Sequence, residues 1–255
     1  AELLLGTGTP TSVVERVCET AEGNPLYLEQ LTAMLADQGL LLDGRWVGTE
    51  DADVEIPVTL QALLTSRFDR LEPATRLVLE RASVEGRRFR VPALLALAPE
   101  VEPVQVEAAI ASLDRRGLVH PEDEAAGRWR FAHALVSEAA YRRLPKELRA
   151  DLHERLADWI AQVDADQPDV DESVARHLER ALRFREELGW RDVDSDALAA
   201  RAGELFASAG TRASAALGLI TSRDLLGRAV ALLPAGSPRR LDILPNLGVA
   251  LTETG

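Results

Sequence analysis

One cysteine, one lysine and one methionine occur in 255 residues, and aromatic side chains make up only 4%. A single thiol excludes an internal disulfide and a thiolate metal cluster. Cys18 lies on a helical pattern beside Val14 and Val17, where a small buried hydrophobe is the expectation. The single lysine, Lys146, stands between Pro145 and Glu147. A phosphate-binding loop of the form Gly-x-x-x-x-Gly-Lys-Ser/Thr needs its lysine to neutralise the phosphates that backbone amides cradle, so this sequence contains no such loop. Net positive charge is missing too. A formal charge of −13 and a pI near 4.9 argue against a chain that grips a nucleic-acid backbone as a whole. No apolar run approaches the roughly 18 residues that span a bilayer, which leaves no membrane partner in view. No signal peptide is visible and the first residue is Ala1. The expectation is an excised part of a longer cytoplasmic protein.

Patterns for catalysis are equally scarce. His153-Glu154 has no second histidine four residues on, so no zinc-binding helix forms. Gly-x-Ser-x-Gly is absent. The run "LLLD" (40–43) imitates a magnesium-binding strand, but Gly44 makes it a hairpin turn instead. Carboxylates scatter along helix faces as a solvated surface does. No catalytic residue and no metal ligand is assigned, and the expectation is that this stretch is not itself an enzyme.

What is present is Ala, Leu and Arg, with 46% hydrophobic residues, a composition that favours helices at a length sufficient for one large or two to three small domains. Val13, Val14, Val17 and Ala21 recur at helical spacing, and Gly23 follows as a C′ residue would. Asn24 then caps a second helix with Pro25 at its first position, where the missing N–H costs nothing. That helix carries Leu28, Leu31 and Leu35 and stops at Gly39. Two short apolar runs about Asp43-Gly44 predict a type I′ hairpin, and an acidic linker runs from Thr49 to Glu55. Helices are predicted over 59–71, 73–85, 91–98 and 103–116. Leu118–His120 and Trp129–Phe131 read as strands joined by an acidic turn. Three helices followed by a hairpin is the order of a winged helix. A longer helix, 134–164, is interrupted near Pro145, and a charged linker spans 164–171. The last third is all helix, with Gly210, Ala213, Ser222, Leu226, Ala229 and Pro234 at tetratricopeptide offsets. Leu247-Gly248 opens what reads as a further first helix. The fold class is mainly α, with small β-hairpins.

Taken together, "AEGNPLYLEQL", "IPVTLQALLTSRFDRL", "RASVEGRRF", "RRGLVHPE", "RFAHALVSEAAYRRLPKELRADLHERLADWI" and "ARHLERALRFREELG" resemble the part of STAND-class signalling ATPases (NB-ARC-like) that follows the phosphate loop. The likeness is to bacterial multidomain regulators linked to a nucleotide cyclase or to a LuxR- or SARP-type DNA-binding domain, and covers residues 20–250. It implies a helical lid with a short hairpin (1–56), a winged helix (57–133), a helical connector (134–195) and truncated tetratricopeptide-like repeats (196–255). It also implies a phosphate-loop domain upstream in the same polypeptide, ATP or ADP with magnesium bound there and no cofactor in this stretch, and a protein partner for the repeats.

In the resembled family a Gly-x-Pro motif of the lid lies against adenine, and Gly23-Asn24-Pro25 matches it. A histidine after the winged-helix hairpin approaches the β-phosphate of ADP. His133, within Ala132-His133-Ala134, occupies that place, although the family's flanking Met and Asp are not present. A helix start is already an anion-friendly end to which a histidine adds a donor. Each has a purely structural reading as well: Asn24-Pro25 as helix capping, His133 as a core histidine between Phe131 and Leu135. The resemblance implies a two-state mechanism, closed on ADP and open on ATP, driven by contacts that differ between the two arrangements. Two other functions stay open. One is a winged helix that contacts DNA through Arg115 and Arg116, with Arg87, Arg88 and Arg90 as a second basic cluster. The other is a protein-interaction scaffold built on the repeats.

Overall fold

A computed structural model of the chain describes residues 8–42, 45–48, 56–57, 59–190 and 192–254. These are mainly helical, with twelve helices and five short strands among the described residues. The chain divides into two compact units, residues 1–91 with 100–143, and residues 92–99 with 144–255.

The first unit begins with α1 (Thr11–Ala21) and α2 (Pro25–Asp37). Glu22 and Gly23 both take positive φ (46° and 77°). This reverses the chain within two residues, and glycine meets the second such φ without a Cβ penalty. The Asn24 side chain accepts from the amides of Leu26 (3.1 Å) and Tyr27 (3.3 Å), with Pro25 at the first helical position. The boundary therefore follows from the residues that predict it. Val13, Val17, Leu31, Met34 and Leu35 bury their side chains in one cluster with Leu63. Cys18, expected to be buried, is instead exposed: Val13, Val17 and Ala21 take the inward face of α1, and Cys18 falls outside that stripe. Strands β1 (Leu41–Leu42) and β2 (Arg45–Trp46) pair antiparallel. The turn predicted at Asp43-Gly44 and the linker predicted at 49–55 lie outside the described residues.

Then come α3 (Leu60–Asp69), capped by the Thr59 hydroxyl, which accepts from the Ala62 amide at 3.1 Å, and α4 (Pro73–Ala82). After β3 (Arg88–Arg90) the chain passes through α5 (Val91–Leu97), most of which belongs to the second unit. It returns as α6 (Pro103–Arg115), β4 (Val119–Asp123), β5 (Arg128–Phe131) and α7 (Ala134–Arg143). The three strands form one antiparallel sheet ordered β3-β5-β4, with Phe89 opposite Trp129 and Val119 opposite Phe131. Phe89 and Phe131 are buried with ring centroids 5.5 Å apart. Strand β3 is absent from the sequence-based reading, which took its arginines for a basic cluster. Arg88 in fact pairs with Glu122 (2.9 Å) and Arg90 with Glu85 (2.6 Å). Gly86 precedes β3 with φ 122°, and its carbonyl accepts from the Ser137 hydroxyl of α7 at 3.0 Å.

The second unit is a run of helices in which each packs on its predecessor: α8 (Lys146–Val163), α9 (Val170–Glu187), α10 (Val193–Ala215), α11 (Leu219–Leu232) and α12 (Pro238–Thr254). Asp192 caps α10, accepting from the Ser195 amide at 2.9 Å. Helices α10 and α11 run antiparallel at close range. Gly203 lies against Leu233, and Gly210 against Leu226. A Cβ on Gly210 would stand 2.7 Å from Leu226 Cδ2, closer than packed carbons allow. The buried Ser222 hydroxyl donates to the Gly210 carbonyl at 3.0 Å. Small residues thus let two backbones approach.

Candidate functional site

Two of the residue sets predicted for function sit at helix starts in the first unit. Gly23, Asn24 and Pro25 are exposed, and the Asn24 side-chain carbonyl oxygen is occupied by the two amides it caps. His133 follows β5 and opens α7. Its Nδ1 accepts from the Leu135 amide at 3.2 Å, and its own carbonyl accepts from Val136 (3.1 Å). An accepting Nδ1 carries no proton, so the ring proton belongs on Nε2 and leaves Nε2–H as the ring's donor. His133 is half-buried, not enclosed as a core histidine would be. No hydrogen bond among the described residues joins Asn24 to His133: each side chain is spent on its own helix.

Arg115 and Arg116 end α6. Arg115 is exposed, alongside Val104, Glu107 and Ala111 on the outward face of that helix. Arg116 is directed elsewhere, its Nη1 donating to Asp37 Oδ1 at 2.9 Å. Its partner belongs to a polar cluster that sequence reasoning missed. Arg67 of α3, 1% exposed, donates from Nε to Asp37 Oδ2 (2.9 Å), from Nη1 to Gln30 Oε1, and from Nη2 to the Arg116 carbonyl (2.7 Å). The guanidinium fork thereby fastens α2, α3 and the end of α6 together. A buried guanidinium is tolerated because its donors meet an opposite charge and two neutral acceptors. The sequence offers one weak signal: Arg67 falls on the Leu63–Leu64–Phe68 stripe of α3, where an apolar residue would be expected.

A second missed cluster lies in the second unit. His153 of α8 and His177 of α9 are buried with Nδ1 atoms 3.0 Å apart, so one ring donates and the other accepts. Phe184 stacks on His153 with centroids 6.2 Å apart. Burial lowers the His153 pKa to about 2, helped by the neighbouring His177, Arg180, Arg183 and Arg149. The pair ties α8 to α9 inside the second unit. Among the described residues, no group of three or more His, Cys, Asp or Glu side chains could hold a metal, and no helix is long and apolar enough to cross a membrane. No protein-family model, curated protein or solved structure matches the chain.

Proposed function

We propose that this chain is the non-catalytic switch region of an ATP-binding signalling protein of the STAND class, acting in the cytoplasm. It couples the nucleotide held by an upstream phosphate-loop domain to protein contacts made by tetratricopeptide-like helices, and through them to a cyclase or transcriptional output. Residues 57–133 serve as a winged helix used for packing, and residues 196–255 as repeats. The observation that carries this reading is His133: it opens the helix after the β4–β5 hairpin, and its Nδ1 is committed to the Leu135 amide. The remaining Nε2–H adds a donor at a helix start, where the helix dipole favours an anion. The order of elements supports it further, as does the Arg67 cluster. That cluster makes the lid helix α2 and the helices α3 and α6 travel as one body, so a nucleotide contact at Pro25 would be felt by the winged helix.

The test uses a longer polypeptide that includes the natural sequence upstream of Ala1. ADP binding measured by calorimetry should weaken roughly tenfold, about 1.4 kcal/mol, on His133→Ala. Unchanged affinity removes His133 from the switch, and absence of any nucleotide binding in the longer polypeptide sinks the proposal as a whole.

A further inference from the structure

Displacing α10 by 38 residues along the sequence superposes its glycine row on α12. Gly203, Phe206, Gly210 and Ala213 become Leu241, Leu244, Gly248 and Leu251. On α10 this row is the one that α11 covers: Gly203 meets Leu233, Gly210 meets Leu226, and Phe206 is fully buried. On α12 the same row is bare. Leu241, Leu244 and Leu251 are 57%, 43% and 51% exposed, and a Cβ on Gly248 would meet nothing within 4 Å. The inward face of α12, with Ile243 and Ala250, is already seated on its neighbours. A leucine row at spacings of three, four and three residues with a glycine notch at its centre is a seam for one helix. It continues the interface already formed once between α10 and α11.

We propose that the Leu241–Leu244–Gly248–Leu251 face of α12 is a docking surface for a single amphipathic α-helix of the chemistry of α11, seated antiparallel with a leucine over Gly248. The Gly248 carbonyl already accepts from the Thr252 hydroxyl at 2.8 Å. The incoming helix therefore needs the counterpart of Leu226 but not that of Ser222. The inference rests on the repeat part of the reading above and is independent of nucleotide, so the ADP experiment and this one can fail separately.

The probe is a fluorescein-labelled peptide of residues 216–236, titrated with the full chain and followed by anisotropy. Saturable binding is expected. Gly248→Leu should weaken it at least about tenfold, since the added side chain fills the notch, and Leu226→Asp in the peptide should abolish it. Gly248→Leu folds readily, because leucine exceeds glycine in helix propensity. Leu244→Glu, at an exposed position, gives a second route to the same loss. No saturable binding overturns the proposal. Binding indifferent to Gly248→Leu and Leu244→Glu overturns it as well, because the peptide would then be replacing α11 on α10. Self-association of the chain that Gly248→Leu abolishes, without peptide binding, assigns the face to a second copy and overturns it too.

Discussion

One helix joint in each unit shows an opposite means of holding helices together. In the first, a buried guanidinium bridges α2, α3 and the end of α6 through directional bonds to Asp37, Gln30 and the Arg116 carbonyl. In the second, α10 and α11 meet across Gly203 and Gly210 with little polar chemistry beyond the Ser222 hydroxyl. Charge fixes an arrangement by what it forbids, since a displaced Arg67 would strand the buried Gln30 and take a donor from Asp37. Glycine fixes one by distance, since any larger residue pushes the helices apart. The first device tolerates no loss of a partner and the second no gain of an atom.

Removing Arg67 should therefore have the largest effect on the chain. Arg67→Ala strands the buried Gln30, leaves Asp37 with Arg116 as its donor and opens a cavity, and a cost of about 3–5 kcal/mol is expected from urea unfolding. Replacing Arg67, Asp37 and Arg116 together by apolar residues of similar volume should recover most of that loss. The cluster would then be a device for register rather than for net stability. If Arg67→Ala cost less than about 1 kcal/mol, the range of an exposed ion pair, water would be satisfying Asp37 and the contrast between the units would dissolve.

The glycine interface breaks from the other side. Gly210→Leu forces a side chain into Leu226, whose backbone amide is only 3.1 Å from the new Cβ, and should cost about 3 kcal/mol, the upper part of the range for overpacking. The same change at Gly248, with nothing within 4 Å, should raise stability by up to about 0.8 kcal/mol through helix propensity alone. One substitution at two equivalent positions with opposite signs is the sharpest form of the comparison. Equal effects at both would mean that α12 is not a second α10.

How far the sequence discloses these features follows from their range along the chain. Helix ends are legible because the residues that cap them are adjacent: Gly23-Asn24-Pro25 and Thr59 mark their boundaries unaided. Gly210 stands out because its partners on α11 recur at fixed offsets. Strand β3 escapes because "RFR" is three residues long and pairs with Arg128–Arg130, 40 residues on. Arg67 escapes for a related reason. A charged residue on a helix reads as surface, and its acceptors lie 30, 37 and 49 residues away. At the candidate switch site both contacts are short-range, Leu26 to Asn24 and Leu135 to His133, but only the Asn-Pro cap has a pattern that the sequence displays.

The buried histidine pair gives a smaller effect than Arg67→Ala or Gly210→Leu, and the one with a direction in pH. In the folded chain His153 has its pKa lowered to about 2 by burial, by His177, and by Arg180, Arg183 and Arg149. In the unfolded chain it titrates near its ordinary value of about 6.5. Below that value the unfolded state takes up a proton that the folded state refuses, so stability falls as pH falls, and above it the group is silent. Between pH 7 and pH 5, before most carboxylates begin to titrate, this one group should remove about 2 kcal/mol. His153→Gln keeps a hydrogen-bonding partner for His177 Nδ1 and does not titrate. Its stability at pH 7 should stay within about 1 kcal/mol of the parent chain, while most of that acid-dependent loss disappears. A variant as acid-sensitive as the parent would move the effect to His177 or to the carboxylates of the first unit, and α8–α9 would no longer be the joint that acid opens.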